Sequence, residues 1–158
     1  MKKILSLTLV ALFIFTFSST VALAEETKSP NIQQSVEYLS DGSYFVTTIE
    51  TNETKSSMSM LSRSASTKSG SKTSTYYGSN NQAIFYVRVN GTFTYNGSSS
   101  SATSASCTVG HYVSGSSSSG RGAYTSGRSA VAYATVKHGG LSTYRSVTLS
   151  CSANGTLS

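Results

Sequence analysis

The stretch QAIFYVRVNGTFTY (82–95) is the longest alternating run in the chain, and it narrows the choice of fold more than any other feature. Successive side chains of a β-strand point to opposite faces of a sheet, so the run predicts one long strand with two distinct faces. Ile84, Tyr86 and Arg88 share one face, and Phe85, Val87 and Val89 share the other. Asn90-Gly91 interrupts the pattern, and a bulge there would bend the strand without ending it.

Further strands are indicated on both sides of this run. The segment SVEYLSDGSYFVTTIE (35–50) predicts a β-hairpin, because Asp41-Gly42 is a favoured type I′ turn pair between two alternating stretches. Other predicted strands are TSTYY (73–77), SASCTVGHYV (104–113), SAVAYATVKH (129–138) and LSTYRSVTLSC (141–151). Turns or loops are expected at 78–81, 96–101 and 114–128, and Gly139-Gly140 predicts a two-residue hairpin turn.

These segments together predict an all-β fold. Several strands separated by Gly, Asn and Ser turns, without a convincing helix, are typical of an antiparallel β-sandwich or a partly closed barrel. In the final hairpin, the alternating alanines between 130 and 134 are small and are expected to pack beneath another sheet. Arg145 breaks the apolar alternation of the last strand, so that face is expected to emerge into solvent partway along.

The N-terminus predicts export from the cytoplasm. Lys2 and Lys3 form a positive region, ILSLTLVALFIFTF (4–17) is an apolar stretch, and Ala22 and Ala24 are the small residues that signal peptidase requires. An uncleaved membrane anchor is the alternative, but the charge-free run is short for a span. We therefore expect a signal peptide over 1–24, a secreted mature chain, and no transmembrane segment after cleavage.

Charge divides the mature chain into unlike parts. All six acidic residues lie before position 54, and residues 54–158 contain no Asp or Glu. We therefore predict an acidic N-terminal segment with the hairpin (25–50), a Ser-rich linker (51–72) and a cationic β domain (73–158). Such asymmetry indicates an anionic partner, or a contact between the acidic segment and the cationic domain. A charged surface that only confers solubility is the simpler alternative.

Both cysteines, Cys107 and Cys151, lie in predicted strands. Two cysteines in an exported chain most simply form one disulfide. It would close a loop of about 45 residues and stabilise the fold by about 4 kcal/mol in the chain-entropy estimate. The alternative is a zinc site completed by His111 and His138, although Cys107 and His111 would lie roughly 13 Å apart on a strand. Their spacing also differs from that of compact zinc modules.

The composition argues against most enzyme classes. A Ser-His-Asp triad and a glycosidase carboxyl pair both need acidic side chains, which the cationic domain lacks. Calcium sites meet the same obstacle. A nucleophile at Cys107 would lie too far from His111 and would be oxidised outside the cell. A hydrolase with an unrecognised serine is the least favoured reading, and we expect no catalytic residue, cofactor or metal.

The cationic domain is better suited to binding. Its candidate binding residues are Arg88, Arg121, Arg128, Lys137 and Arg145, which occur among many tyrosines. Basic and aromatic groups interleaved on a rigid sheet suit an anionic cell-wall polymer or a lipid surface. Nucleic acid is disfavoured, because no RNP-like or helix-turn-helix pattern is present. The alternative is that tyrosines pack at the edges of the core and arginines keep the protein soluble.

Two segments carry a resemblance to known proteins. KTSTYYGSNNQAIFYVRVNGTFTYNG (72–97) and SVTLSCSANGTLS (146–158), together with the DGSY hairpin, are similar to small exported two-cysteine β proteins of Gram-positive bacteria of the Firmicutes type. The resemblance covers most of the mature chain, with 114–128 the least similar part. It implies export and a β fold, and it transfers no functional residue.

The sequence thus predicts a secreted, non-enzymatic protein that acts at a cell surface or envelope by binding an anionic partner. The alternative is a secreted antagonist, bacteriocin-like or membrane-active, whose acidic segment keeps it inert until the linker is cut. The two hypotheses differ in the role that they give to residues 25–50.

Overall fold

The structure, a computed structural model, describes residues 32–52 and 65–158. Within these ranges the strands are β1 (Ile32–Tyr38), β2 (Tyr44–Asn52), β3 (Ser66–Tyr77), β4 (Ala83–Tyr95), β5 (Ser100–His111), β6 (Ser117–Ser126), β7 (Ser129–His138) and β8 (Leu141–Ser150). The predicted signal peptide and most of the predicted linker lie outside the described residues. In the part that the structure describes, no helix is long and apolar enough to cross a membrane.

The strands form two antiparallel sheets, which confirms the all-β prediction. Sheet A contains β1 to β5 and sheet B contains β6 to β8, and both sheets follow the order of the chain. Each strand therefore pairs with the strand before or after it, as a simple meander does. The N-terminal hairpin belongs to sheet A, because β2 pairs with β3 from Tyr44↔Tyr77 to Asn52↔Ser69.

The hydrophobic core lies between the two sheets. Fully buried residues that meet there are Val87, Val89 and Phe93 of β4 and Ala130, Ala132 and Ala134 of β7. Gly91 marks a close approach of the sheets, since a Cβ there would lie 2.8 Å from the Ala130 Cβ and from the Phe93 ring. The small residues of β7 thus pack beneath sheet A, as their alternation predicts.

Strand β4 corresponds to the long alternating run and continues through Asn90-Gly91. The irregularities lie elsewhere than predicted. The register of β4 with β5 shifts between Thr92 and Phe93, and the register of β3 with β4 shifts between Tyr76 and Tyr77. Gly91 is therefore needed for packing between the sheets, and not for a bend at that position.

Two hairpin turns illustrate how local sequence sets backbone conformation. Gly139 and Gly140 form the predicted two-residue turn, and both have positive φ (56° and 81°), as a type I′ turn requires. In the β1–β2 turn, in contrast, only Gly42 has a positive φ, so the predicted type I′ pair is replaced by a three-residue loop. Asp41 accepts hydrogen bonds from the hydroxyl and the amide of Ser43 (2.5 and 3.0 Å), which lower the pKa of its carboxyl.

Several segments predicted as linker or loop are strands in the structure. Strand β3 begins at Ser66, inside the predicted linker, and β6 occupies most of the predicted loop 114–128. Strand β5 begins at Ser100, within the first serine run. These Ser- and Gly-rich segments lack apolar alternation, so their conformation is decided by pairing with neighbouring strands.

Candidate functional site

The five cationic residues predicted to bind do not form one patch. Arg88 lies on the outer face of sheet A, and Lys137 lies on the outer face of sheet B, on the opposite side of the molecule. Arg121 is exposed at a register shift in β6, and Arg128 is exposed in the β6–β7 turn. Arg145 points between the sheets. Sheet B and its turns therefore carry most of the exposed candidates.

Three tyrosines form a row across the outer face of sheet B. Tyr124 of β6, Tyr133 of β7 and Tyr144 of β8 are successive neighbours, with ring centroids 6.4 Å apart in each pair. Tyr124 and Tyr144 are exposed, and Tyr133 is half-buried between them. We call these three tyrosines, together with Lys137 on the same face, the basic tyrosine face.

Gly122 shapes the centre of the basic tyrosine face. It pairs with Tyr133 across β6 and β7, and a Cβ at this position would lie 2.5 Å from the Tyr133 hydroxyl oxygen. Only a residue without a side chain lets the Tyr133 ring lie over β6. The local sequence around Gly122 thus sets the position of the central ring.

The basic tyrosine face is electrostatically positive. Residues 117–150, which span all of sheet B, contain no Asp or Glu. Within the described ranges, Arg121, Arg128 and Lys137 form no ion pair. Their charges can therefore act on an anionic ligand, while the tyrosine hydroxyls can donate hydrogen bonds to it.

A second group of tyrosines lies on the outer face of sheet A. Tyr38, Tyr44 and Tyr77 are cross-strand neighbours on β1, β2 and β3, and their successive ring centroids are 5.6 and 5.0 Å apart. The Tyr44 and Tyr77 rings are stacked, and the Tyr44 hydroxyl donates to the Asn81 side chain (3.2 Å). These contacts hold the rings in place at one end of the sheet.

Arg88 belongs to this outer face of sheet A. Its guanidinium lies 5.7 Å from the centroid of the Tyr86 ring, and its Nε donates to the Thr73 hydroxyl (2.7 Å). Tyr86 in turn lies over Gly110 and beside Tyr112, with ring centroids 5.7 Å apart. Arg88 is thus held in place by Thr73 and Tyr86 on a tyrosine-rich surface that also carries Glu50.

Arg145 is a packing residue, which corrects its assignment to an exposed binding surface. Its guanidinium lies 4.0 Å from the centroid of the Phe45 ring, its Nε donates to the Ser74 hydroxyl (2.9 Å), and its Nη1 pairs with Glu37 (2.9 Å). Its side chain is only 20% exposed. Arg145, which breaks the apolar alternation of β8, therefore contacts the N-terminal hairpin and does not face solvent.

The predicted Cys107–Cys151 disulfide is absent, and both cysteines are free. The Cys151 carbonyl accepts a hydrogen bond from Ser100 at the start of β5, whereas Cys107 lies seven residues further along β5. That separation is about 20 Å by strand rise, and a disulfide needs Cα atoms within about 7 Å. Burial raises the pKa of both thiols; nearby Arg121 partly offsets this for Cys107, and Lys68 does so for Cys151.

The histidines do not join the cysteines in one site. His111 lies at the end of β5 opposite Phe85, and His138 lies at the end of β7 opposite Leu141. Among the described residues, no three His, Cys, Asp or Glu side chains cluster as metal ligands would. The Ser116 hydroxyl and His138 Nδ1 are buried without a hydrogen-bond partner in the described structure, but sheet B has no carboxylate to complete a triad with them.

Lys72 is a cation that sequence reasoning did not single out. It lies on the inner face of β3, where its register partners are Ile49 of β2 and Val89 of β4. It is half-buried, and burial lowers the pKa of its ammonium group. Its place beside buried apolar residues could not be inferred without the register of β3, a strand that the sequence only partly predicted.

The sequence alone also did not predict the rows of tyrosines. The alternation of β7 and β8 is enough to place Tyr133 and Tyr144 on outward faces, but not to align them. Tyr124 lay in a segment predicted as loop. Only the pairing of β6 with β7 and of β7 with β8 brings the three rings together.

Comparisons with known proteins do not assign a function to these surfaces. No family model, no curated protein and no solved structure matches the chain.

Proposed function

We propose that this chain is a secreted, non-enzymatic β-sandwich protein that acts at a cell surface or envelope by binding an anionic polymer or lipid surface. The basic tyrosine face of sheet B is the binding surface. The observation that carries the proposal is the row of Tyr124, Tyr133 and Tyr144 beside Lys137, in a sheet without any carboxylate side chain.

The chemistry of the face suits such a ligand. Lysine and arginine attract phosphate or carboxylate groups over distances of about one Debye length, roughly 8–10 Å in physiological salt. Tyrosine rings pack against the apolar parts of a polymer repeat or a head group, and their hydroxyls bond its polar atoms. A rigid sheet holds these groups in place, so that little conformational freedom is lost on binding.

A sedimentation assay tests the proposal. The purified protein is mixed with isolated Gram-positive cell walls or with vesicles that contain anionic lipid, and it should pellet at low salt and be released as salt rises. Walls and vesicles assayed separately distinguish a polymer ligand from a lipid ligand. A protein that stays in the supernatant with both materials at low salt contradicts the proposal.

Paired variants locate the binding surface. Lys137→Gln with Tyr144→Ala removes one cation and one exposed ring from the basic tyrosine face, and it should weaken pelleting about tenfold or more. Arg88→Gln with Tyr112→Ala makes the same change on the outer face of sheet A and should leave pelleting unaltered. Equal losses in both variants would show that net charge, and not this face, drives the association.

A second function, the antagonist kept inert by its acidic segment, is favoured by one contact. Glu37 of the N-terminal hairpin pairs with Arg145 of sheet B, so an acidic residue does meet the cationic body. The hairpin is also paired with β3 along all of β2, which makes its release costly. Growth inhibition that appears only after cleavage between 53 and 64 supports this function. If neither the intact nor the cleaved protein inhibits any of a panel of strains, this function is contradicted.

A further inference from the structure

The sheet edges of this protein differ in how they are protected. An exposed edge strand presents unpaired main-chain groups to other chains, and natural proteins usually blunt it with bulges, charges, proline or a covering segment. In β5, Ala102 donates its N–H to the Gly127 carbonyl of the β6–β7 turn. Strand β6 is interrupted by a register shift between Ser119 and Gly122. Each of these edges therefore carries a protective feature.

Strand β8 is protected at its end, whereas none of the described residues covers the outer edge of β1. In β8, Ser150 exchanges main-chain hydrogen bonds with Ser158 of the C-terminal tail (2.9 and 3.0 Å). Strand β1, IQQSVEY, has no bulge, lysine, arginine or proline, and within the described residues it pairs only with β2. All seven of its residues are exposed. It is the most accessible edge in the described part of the chain.

The register of the hairpin shows which main-chain groups of β1 are free. The Leu39 N–H donates to the Ser43 carbonyl (2.8 Å), so Leu39 and the alternate residues before it direct their main-chain groups towards β2. The intervening residues direct their N–H and C=O groups away from the sheet. These residues are Ile32, Gln34, Val36 and Tyr38.

The side chains of β1 favour pairing with another strand, because several are apolar and exposed and only one is charged. Ile32, Val36 and Tyr38 are 58%, 47% and 76% exposed and share the outer face. The one charged residue of the strand, Glu37, lies on the inner face and pairs with Arg145. The charge that would otherwise discourage strand addition is therefore neutralised within the molecule.

We propose that β1 is a homodimer interface at which two copies of this chain join their five-stranded sheets by antiparallel β1–β1 pairing. A two-fold axis at Ser35 pairs Ile32 with Tyr38 of the second copy and Gln34 with Val36 of the second copy. All four outward-directed residues then form hydrogen-bonded pairs, each with two main-chain bonds. No other centre within β1 uses all four.

In this register the side chains of the two β1 strands also fit one another. This fit favours a second copy of the chain over an unrelated strand as the partner. On the outer face an aromatic residue lies opposite an aliphatic one, a favourable cross-strand pair. On the inner face Glu37 lies opposite Gln33 of the second copy, whose amide can donate to it, and no like charges face each other. Ser35 meets itself at the axis, where a small side chain avoids crowding.

The architecture leaves room for the second copy. Sheet B packs mainly against β3, β4 and β5 and reaches the β1–β2 hairpin through Arg145, so the free edge of β1 lies to the side of it. Two hairpins, one from each copy, would therefore separate the two small sheets in the dimer. The basic tyrosine face of each copy stays uncovered, and the interface is distinct from the proposed ligand site.

Analytical ultracentrifugation of the purified protein tests the proposal. We expect a mass that rises from one chain to two between low micromolar and near-millimolar concentration, because a single strand pair is a small interface. Gln34→Lys with Val36→Lys places lysines opposite one another across the axis and should keep the protein monomeric. Ser142→Lys with Ser146→Lys adds the same charge to exposed positions of β8 and should dimerise like the wild type.

Charge-swapped partners distinguish a broken interface from a damaged fold. Gln34→Glu with Val36→Glu should also be monomeric alone, and an equimolar mixture with the lysine variant should form a heterodimer. A wild-type protein that stays monomeric at every concentration overturns the proposal, as does a lysine variant that dimerises as well as the wild type. A mixture that fails to associate, while each variant retains the far-ultraviolet spectrum of the wild type, overturns it as well.

Discussion

The guanidinium of Arg145 lies 4.0 Å from the centroid of the Phe45 ring, and this contact joins the two sheets at the N-terminal hairpin. Phe45 is buried near the start of β2, while Arg145 comes from β8 in the other sheet. Hydrogen bonds to Ser74 and Glu37 extend the contact to β3 and β1. One side chain of sheet B therefore touches three consecutive strands of sheet A.

Replacement of Arg145 should destabilise the fold more than replacement of its acidic partner. Arg145→Ala loses the contact with the Phe45 ring and the bond to Ser74, for which we expect a loss of about 2 kcal/mol. Glu37→Gln removes an exposed ion pair and should cost no more than about 0.5 kcal/mol. Urea unfolding of both variants measures the difference, and equal losses would assign the stabilisation to the ion pair.

Native protein should contain two thiols and no disulfide. We expect its mass to be the same with and without reductant, and both cysteines to react with an alkylating reagent after unfolding without reductant. A native mass lower by two hydrogens would contradict the structure.

In the folded state, the thiol at Cys107 should react slowly at neutral pH. Burial raises its pKa above the ordinary value of 9.0, so at neutral pH a smaller fraction of this thiol is in the reactive thiolate form than in an exposed cysteine. The rate of alkylation measured against pH, with a small free thiol as control, tests this. A Cys107 rate that follows the control would show that the thiol is not buried.

Substitution of Gly122 should disturb the basic tyrosine face directly. Gly122→Ala places a Cβ against the Tyr133 ring, and we expect a loss of about 1–3 kcal/mol because the ring must move. Ser126→Ala, at the exposed end of the same strand, is the matched control and should change stability by less than about 0.5 kcal/mol. Thermal unfolding measures both variants, and a Gly122→Ala protein as stable as the control would show that the ring is not confined.

Lys72 should cost stability at neutral pH. Burial lowers its pKa below 10.5, so the folded state binds this proton less tightly than the unfolded state does. The cost is fully present below the folded pKa and is relieved as pH rises through it towards 10.5. Lys72→Met should therefore stabilise the protein at pH 7 by less than about 1 kcal/mol, since the group is only half-buried.

The comparison of Lys72→Met with the wild type across pH isolates the lysine. Lys72 is the one residue that differs between the two proteins, so the stability difference should narrow as Lys72 loses its proton. Lys137→Met, at an exposed position, is the control for the loss of one lysine charge. A difference for Lys72→Met that widens with rising pH would contradict the expected sign.

The C-terminal tail should contribute to the core through Leu157. This residue is 4% exposed and contacts the inner face of β3 at Gly70. Leu157→Ala should cost about 2–3 kcal/mol, because it opens a cavity between tail and sheet. Leu141→Ala, at a leucine that is 67% exposed, should cost less than about 0.5 kcal/mol. Similar losses in urea unfolding would place Leu157 outside the core.

Local features of the sequence were enough to predict much of the fold. The alternation of 82–95 predicted the central strand, and Gly139-Gly140 predicted a two-residue turn, in which both glycines have positive φ. The alanines of β7 predicted a close sheet–sheet contact. Each of these predictions depends on a residue and its near neighbours, so it needs no knowledge of strand order.

The predictions that depended on distant pairing were less successful. Strand β6 and the first half of β3 were missed, because Ser and Gly carry no alternating apolar signal of their own. The Cys107–Cys151 disulfide was wrong, because the order of the strands determines which parts of two strands lie side by side. Arg145 was predicted to face solvent, because the residues near it in the chain do not indicate that it contacts Phe45 of a distant strand.

The sequence by itself determined that this chain forms β-strands, where its main turns fall, and that its cationic domain lacks carboxylates. Only the tertiary structure decided which tyrosines form rows, which cations stay exposed, and that the hairpin belongs to sheet A. The physical reason is the distance along the chain over which the deciding interactions act. Strand and turn preferences arise between neighbouring residues, whereas a binding face arises from register between strands that are far apart in the chain.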